Sequence, residues 1–178
     1  MRDSHVDDPS VTRPGPTPAG PDISVRTGTG SGRTLLSAFD SALLAAGVAN
    51  FNLIALSSVI PPDSRVRVVD TVLPGGHGDR LYCVLSAAYA DHPGEFVWAG
   101  LGWTFDETTG GGLFVEHKGG SEESLLEQIE LSLADMTANR GGGYGPVHTA
   151  TASAHCVDRP VCALTIAAYE VVPWSPGA

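Results

Sequence analysis

Two adjacent serines, Ser57 and Ser58, end an apolar run just before Pro61 and Pro62. If a strained turn presents the Ser58 hydroxyl to the Ser57 carbonyl, that oxygen is a nucleophile toward its own backbone. Attack gives an ester through a tetrahedral oxyanion, and elimination from the ester releases the N-terminal piece. The dehydroalanine left at position 58 tautomerises and loses ammonia to water, leaving a pyruvoyl group. Its ketone can form a Schiff base with an amine and serve as an electron sink, as pyridoxal phosphate does elsewhere. The plainer reading of a Ser-Ser pair is two turn residues at a strand end.

Three further polar residues stand where chemistry could use them. Asn52 lies five residues before Ser57; its amide can stabilise an oxyanion or simply satisfy a turn. Asp40 falls within a helical apolar arc, between Leu36 and Leu44, where it either meets a cationic partner or sits hydrated at the arc's edge. Glu116 shares a strand face with Phe114 by alternation, and a carboxyl held against an aromatic surface has its neutral, proton-donating form favoured. Read alone, it is an exposed strand glutamate. The run from Gly28 to Gly32 could cradle a phosphate, but no Gly-Lys-Ser/Thr ending follows, so it reads as a strand-to-helix turn. None of the six histidines makes an HxxxH pair on an expected helix, and the three cysteines (Cys83, Cys156, Cys162) lack CxxC spacing. No metal site is expected, and the cysteines read as small core residues.

The elements that must position these groups follow from periodicity. A strand is expected over residues 23–27, then a helix over 35–46 capped by Thr34 and stopped by Gly47, with Leu35, Leu36, Phe39, Leu43 and Ala46 on one arc. Residues 51–58 read as a buried strand, and strands follow over 66–69, 81–90, 97–105 and 113–118. A second helix is capped by Ser121, carries Glu122 and Glu123 at its positive end, and shows the stripe Leu125, Ile129, Leu133, Met136. Two long strands, 147–157 and 161–172, are expected to form a closing hairpin. Two helices with one apolar stripe each, among about eight strands, predict a layered α+β domain with a helix on the outside of each sheet.

Composition narrows the class. With 42% hydrophobic and 17% charged residues in 178, the chain is globular, and its formal charge of -10 repels nucleic acid and anionic membrane surfaces. No apolar run approaches membrane-helix length, so a cytoplasmic protein is expected. Residues 1–22 hold five prolines and little that is large and apolar, and read as a disordered tail before one domain over 23–178.

The block Asn50-Phe51-Asn52-Leu53-Ile54-Ala55-Leu56-Ser57-Ser58-Val59-Ile60-Pro61-Pro62, with Ser37-Ala38-Phe39-Asp40-Ser41-Ala42-Leu43-Leu44-Ala45-Ala46-Gly47 upstream, resembles the pyruvoyl-dependent arginine decarboxylase family. The resemblance continues in Gly112-Leu113-Phe114-Val115-Glu116 and reaches toward Tyr169. It implies a four-layer αββα sandwich with two mainly antiparallel sheets. It also implies self-cleavage into residues 1–57 and 58–178, with the pyruvoyl group generated from Ser58 and neither pyridoxal phosphate nor metal required. The implied reaction turns L-arginine into agmatine and carbon dioxide: Asp40 grips the guanidinium, Asn52 assists processing and binding, and Glu116 protonates the α-carbon. Leu36 and Phe51 would line the pocket. The implied assembly is a homotrimer of cleaved protomers, or a dimer of trimers, with sites between neighbouring subunits. Ala49, Phe51 and Ala55 depart from the family's glycine, aliphatic and basic residues. A pyruvoyl decarboxylase of another amino acid or peptide terminus, and an uncleaved non-enzymatic scaffold, are the competing expectations.

Overall fold

The computed structural model describes residues 20–174. Most of the expected disordered tail, residues 1–19, lies outside the described residues. In chain order the elements are β1 (Asp22–Ser31), α1 (Leu35–Ala45), β2 (Asn52–Ala55), β3 (Val59–Ile60), β4 (Arg65–Val68), β5 (Arg80–Ala90), β6 (Phe96–Phe105), β7 (Gly112–Gly119), α2 (Glu122–Ala138), β8 (His148–His155) and β9 (Val161–Val172). They form a five-stranded sheet ordered β2-β5-β9-β1-β4 and a four-stranded sheet ordered β3-β7-β6-β8.

Alternation sorts the strands' side chains into three apolar layers. On the outer face of the five-stranded sheet, Leu81, Cys83, Leu164 and Ile166 pack with Ala38, Ala42 and Leu43 of α1. On the outer face of the other sheet, Leu113 and Val115 pack with Leu125, Ile129 and Leu133 of α2. Between the sheets, Ile23, Val25, Val84 and Ala167 meet Leu101, Trp103 and Phe114. The architecture is therefore the expected α+β sandwich with layers αββα. Both helices start as their sequences predict: Thr34 and Ser37 form a capping box, and the Ser121 hydroxyl accepts from the Ser124 N–H.

Several expectations are corrected. The expected turn from Gly28 to Gly32 belongs largely to β1, which runs on to Ser31. Gly28 and Gly30 are on the face beneath α1, where an added Cβ would overlap the backbone of Ala42. This close approach explains why α1 and its C-cap lay the small Ala38, Ala42 and Ala46 on the sheet; of the expected arc Leu43 and Ala46 are buried, whereas Leu36 is 77% exposed. Residues 51–58 do not form one buried strand: β2 is a four-residue, partly exposed edge strand parallel to β5. Nor do the last two strands form a hairpin, because β8 pairs with β6 and β9 with β1 and β5. β9 is apolar on both faces, which suits a strand enclosed on both sides, whereas Thr149, Thr151 and Ser153 suit β8 to a sheet edge. Cys156 is buried in the connection after β8, not in a strand.

Candidate active site

The chain crosses from one sheet to the other at the Ser57-Ser58 pair. On the upstream side β2 lies in the five-stranded sheet, and the Leu56 N–H donates to the Cys83 carbonyl at 2.9 Å. On the downstream side β3 joins the four-stranded sheet, with Val59 opposite Leu113 and Ile60 opposite Gly112. Two residues bridge the layers, and Ser58 meets the demand with φ of 67°, in the left-handed region that a side chain disfavours. It is 8% exposed. Strain at this position is what a self-attacking hydroxyl would need, because it favours rearrangement of the bond it distorts.

Ser58 is held from β7. Its carbonyl accepts from the Phe114 N–H at 2.8 Å, and its hydroxyl donates to the Glu116 carboxylate, 2.9 Å from Oε2 and 3.1 Å from Oε1. Alternation explains the second contact: Phe114 and Glu116 face the inter-sheet space, whereas Val115 packs on α2 and the His117 ring meets Ser132 of α2 at 2.8 Å. Glu116 is exposed at the mouth of that space. Tyr169 of β9 completes the group; its hydroxyl donates to the Val59 carbonyl at 3.1 Å, and its ring packs against Phe114 with centroids 6.1 Å apart. Burial, and then the Glu116 charge, push its phenol well above the ordinary range, so it remains a donor.

The other sequence-derived residues are placed elsewhere in the chain. The Asn52 side chain is exposed on β2 and donates to the Gly78 carbonyl, the turn-satisfying role, 2.6 Å away. Asp40 is exposed on α1 between the exposed Leu36 and Leu44. Phe51 lines a cavity of about 200 Å³ with Leu44, Val72 and Leu73. The five-stranded sheet separates these α1-side residues from the Ser58–Glu116 pair, so one chain brings together Ser58 and Glu116 but not Asp40, Leu36 or Phe51. The resemblance reaches toward Tyr169 without marking it as a site residue. The signal for it is a phenol late in the largely apolar β9, since a phenol taken partly out of water usually seeks a partner.

A cavity of about 520 Å³ opens beside the bridge, lined by Leu56, Pro61, Tyr82, Tyr169 and Glu170 among others. Away from it, Asp91, His92 and Glu95 gather metal-type donors in an exposed turn, where His92 Nδ1 lies 2.8 Å from the Asp91 carboxylate.

Known proteins with this sequence pattern join the geometry to a chemistry. A family model described as pyruvoyl-dependent arginine decarboxylase matches residues 22–171. A pyruvoyl-dependent arginine decarboxylase of Thermococcus kodakarensis is 32% identical over 139 residues, covering 78% of this chain and 87% of that protein. One from Thermococcus sibiricus is 34% identical over 147 residues, covering 80% and 89%. One from Halobacterium salinarum is 32% identical over 152 residues, covering 84% and 94%. The match runs from the first residue of β1 nearly to the end of β9 and so takes in both sheets and the bridge between them: the chain belongs to the pyruvoyl-dependent arginine decarboxylase family of enzymes.

Proposed function

We propose that the chain cleaves itself between Ser57 and Ser58 and, as the matured enzyme, decarboxylates L-arginine to agmatine and carbon dioxide. The observation that carries this reading is the buried Ser58, left-handed at the crossing between sheets with its hydroxyl on the Glu116 carboxylate. In the cleavage, Ser58 Oγ attacks the Ser57 carbonyl carbon; the C–O bond forms, the C–N bond breaks, and the freed nitrogen takes the proton. Loss of the Ser58 α-proton then expels the Ser57 carboxylate, and water replaces the nitrogen as ammonia. Glu116 orients the hydroxyl for the first step.

The residues present fit a pyruvoyl group at position 58. Of the contacts that hold Ser58, those to its carbonyl and to the Val59 carbonyl lie downstream of the cleaved bond and outlast it, whereas the hydroxyl oxygen departs with the Ser57 carboxylate and leaves Glu116 free beside position 58. Upstream, β2 and the Leu56 N–H are fastened independently to β5. Phe114, Glu116 and Tyr169 would hold the group. What it supplies there is a ketone able to condense with the substrate amine and draw off the electrons that carbon dioxide leaves behind. Glu116, beside position 58 and open to solvent, is placed to return a proton to the α-carbon.

Substrate selection in this reading belongs to Asp40. A carboxylate accepts two parallel hydrogen bonds from a guanidinium, which an ammonium cannot reproduce. Because the five-stranded sheet lies between Asp40 and Ser58 of one chain, Asp40 must come from another copy, in a trimer with sites between subunits. Support comes from the exposed Leu36 and Leu44 that flank it, an apolar pair a neighbouring copy would bury. Asn52 and Phe51 would meet the site across the same boundary.

Intact mass spectrometry of the purified chain, together with carbon dioxide release from arginine, lysine and citrulline, tests the proposal. Two fragments, 1–57 and 58–178, with the second bearing a blocked N-terminus, and preference for arginine are expected. An intact chain rejects self-cleavage, and a preference for another amine acid over arginine rejects the substrate.

A further inference from the structure

The five-stranded sheet sends three hydroxyls across the core to carbonyls of the opposite sheet: Ser86 to His117 at 2.6 Å, Thr165 to Ala99 at 3.1 Å, and Tyr169 to Val59 at 3.1 Å. The first two belong to fully buried side chains inside the sandwich. The third ends on the residue directly after Ser58, at the point where the chain changes sheets. The strand is irregular at Tyr169. Opposite β5, β9 carries one extra residue: Ala168 faces Cys83 and Glu170 faces Tyr82, which leaves Tyr169 unpaired in a β-bulge. A bulge locally suspends alternation and re-aims a side chain. Here Ala167 and Tyr169 keep ordinary alternation into the inter-sheet layer with Ala168 toward α1, and the side chain re-aimed is that of Glu170, which the bulge places on the side of Tyr82, next to Tyr169. Without the extra residue, the register beyond Tyr169 would invert and the cavity beside the bridge would lose one of its walls.

Three anchors therefore fix the strained residue. The Phe114 N–H holds its carbonyl and Glu116 its hydroxyl, both from β7, so these two allow β3 to move with β7 relative to the other sheet. The Ser57 carbonyl, by contrast, is tied through Leu56 to β5 of the five-stranded sheet. Attack requires Ser58 Oγ and the Ser57 carbonyl carbon to hold their relation across the gap between sheets, and near-attack geometry is lost with displacements of about 1 Å. Tyr169 is the side chain that spans this gap next to the bond. Its phenol, kept protonated by burial and the neighbouring carboxylate, donates across the whole neutral range.

We propose that Tyr169 is a positioning residue for maturation: its hydroxyl, through the Val59 carbonyl, clamps the left-handed Ser58 of one sheet against the scissile Ser57 carbonyl anchored in the other. This rests on the self-cleavage reading. It assigns a role to a group that is neither nucleophile nor acid, and the role acts on the chain and not on the substrate.

The test compares the full-length chain with Tyr169→Phe and Thr165→Val, each followed from fresh translation by the rate at which the 58–178 fragment appears, with thermal midpoints of the uncleaved proteins measured alongside. Phenylalanine keeps the packing on Phe114 and deletes the hydroxyl. Thr165→Val deletes the sister cross-sheet hydroxyl, far from the bond, and reports what a merely structural loss does. The expected result is Tyr169→Phe maturing at least fivefold more slowly than Thr165→Val, with the slowing unchanged when each protein is compared at an equal interval below its own midpoint. If Tyr169→Phe matures within fivefold of Thr165→Val under that comparison, the clamp is overturned while self-cleavage stands. If the wild-type chain remains whole, self-cleavage fails and takes the clamp with it.

Discussion

Replacing Ser58 by alanine and, separately, by glycine isolates the strain from the chemistry. Both variants remove the attacking oxygen and the hydrogen bond to Glu116, so both should persist as single chains and the lost contact cancels between them. They differ in the backbone. At φ of 67° a residue with a Cβ incurs roughly 1–2 kcal/mol that glycine does not. Glycine gives back roughly 0.5–1 kcal/mol through the larger entropy of its unfolded chain. Taking the middle of each range, the difference leaves Ser58→Gly more stable than Ser58→Ala by about 0.75 kcal/mol, which for a domain of this size is about 1.5–3 °C in thermal midpoint. Circular dichroism melts at matched concentration, with intact mass confirming that neither chain has split, read this directly. Should alanine match or exceed glycine, position 58 carries no left-handed strain and the account of why this bond rearranges collapses. Should Ser58→Ala still split at this bond, the hydroxyl is not the nucleophile.

Three further outcomes are expected. Glu116→Gln should still mature, since an amide oxygen can accept from the Ser58 hydroxyl, yet lose at least about 100-fold in turnover per mature site because an amide cannot donate the proton; unchanged carbon dioxide release would return Glu116 to a structural role. Asp40→Asn should weaken arginine by roughly 2–5 kcal/mol in kcat/KM while sparing an uncharged amino acid of similar length, because one acceptor and the charge are lost in an interface that desolvates them; an intact arginine preference in steady-state kinetics removes Asp40 as the anchor. Burial pushes the Cys83 and Cys162 thiols up to about 11, so the folded chain keeps protons that the unfolded chain begins to release near pH 9. Stability should therefore be undiminished by these groups below about pH 9 and fall as pH rises from there toward about 11. Urea midpoints at pH 8 and pH 10 check this, and equal midpoints would show the thiols to be unshifted.

The fold also explains why cleavage at this bond need not release either piece. Residues up to 57 include β1, which lies between β9 and β4 in the five-stranded sheet, and α1, which packs over that sheet's outer face. Residues from 58 onward supply both neighbours of β1, and the inter-sheet core draws Ile23 and Val25 from one side of the bond and Trp103, Phe114 and Ala167 from the other. Separation would expose a central strand and divide a core, so the fragments should stay together in native conditions.

The sequence by itself determined the local rules. Thr34 and Ser121 capped their helices where expected, the stripe Leu125, Ile129, Leu133 was buried as read, and alternation correctly put Glu116 on the Phe114 face. The block around Ser57-Ser58 carried enough specific spacing to point to the family, and two amphipathic helices among many strands to point to the layers. Each of these signals lives within a few residues, where capping, period and pleat leave few choices. Partner choice between distant segments was decided only by the tertiary structure. No local pattern could tell that β8 and β9, five residues apart, would join different sheets, that Gly28 and Gly30 were helix-contact sites and not a turn, that a bulge would interrupt β9 at Tyr169, or that the Tyr169 hydroxyl would find Val59 of the other sheet. Sheet edges are filled by competition among all strands, and the left-handed Ser58 arises because its neighbours are committed to opposite sheets, a demand set by contacts far along the chain that its own side chain would not choose.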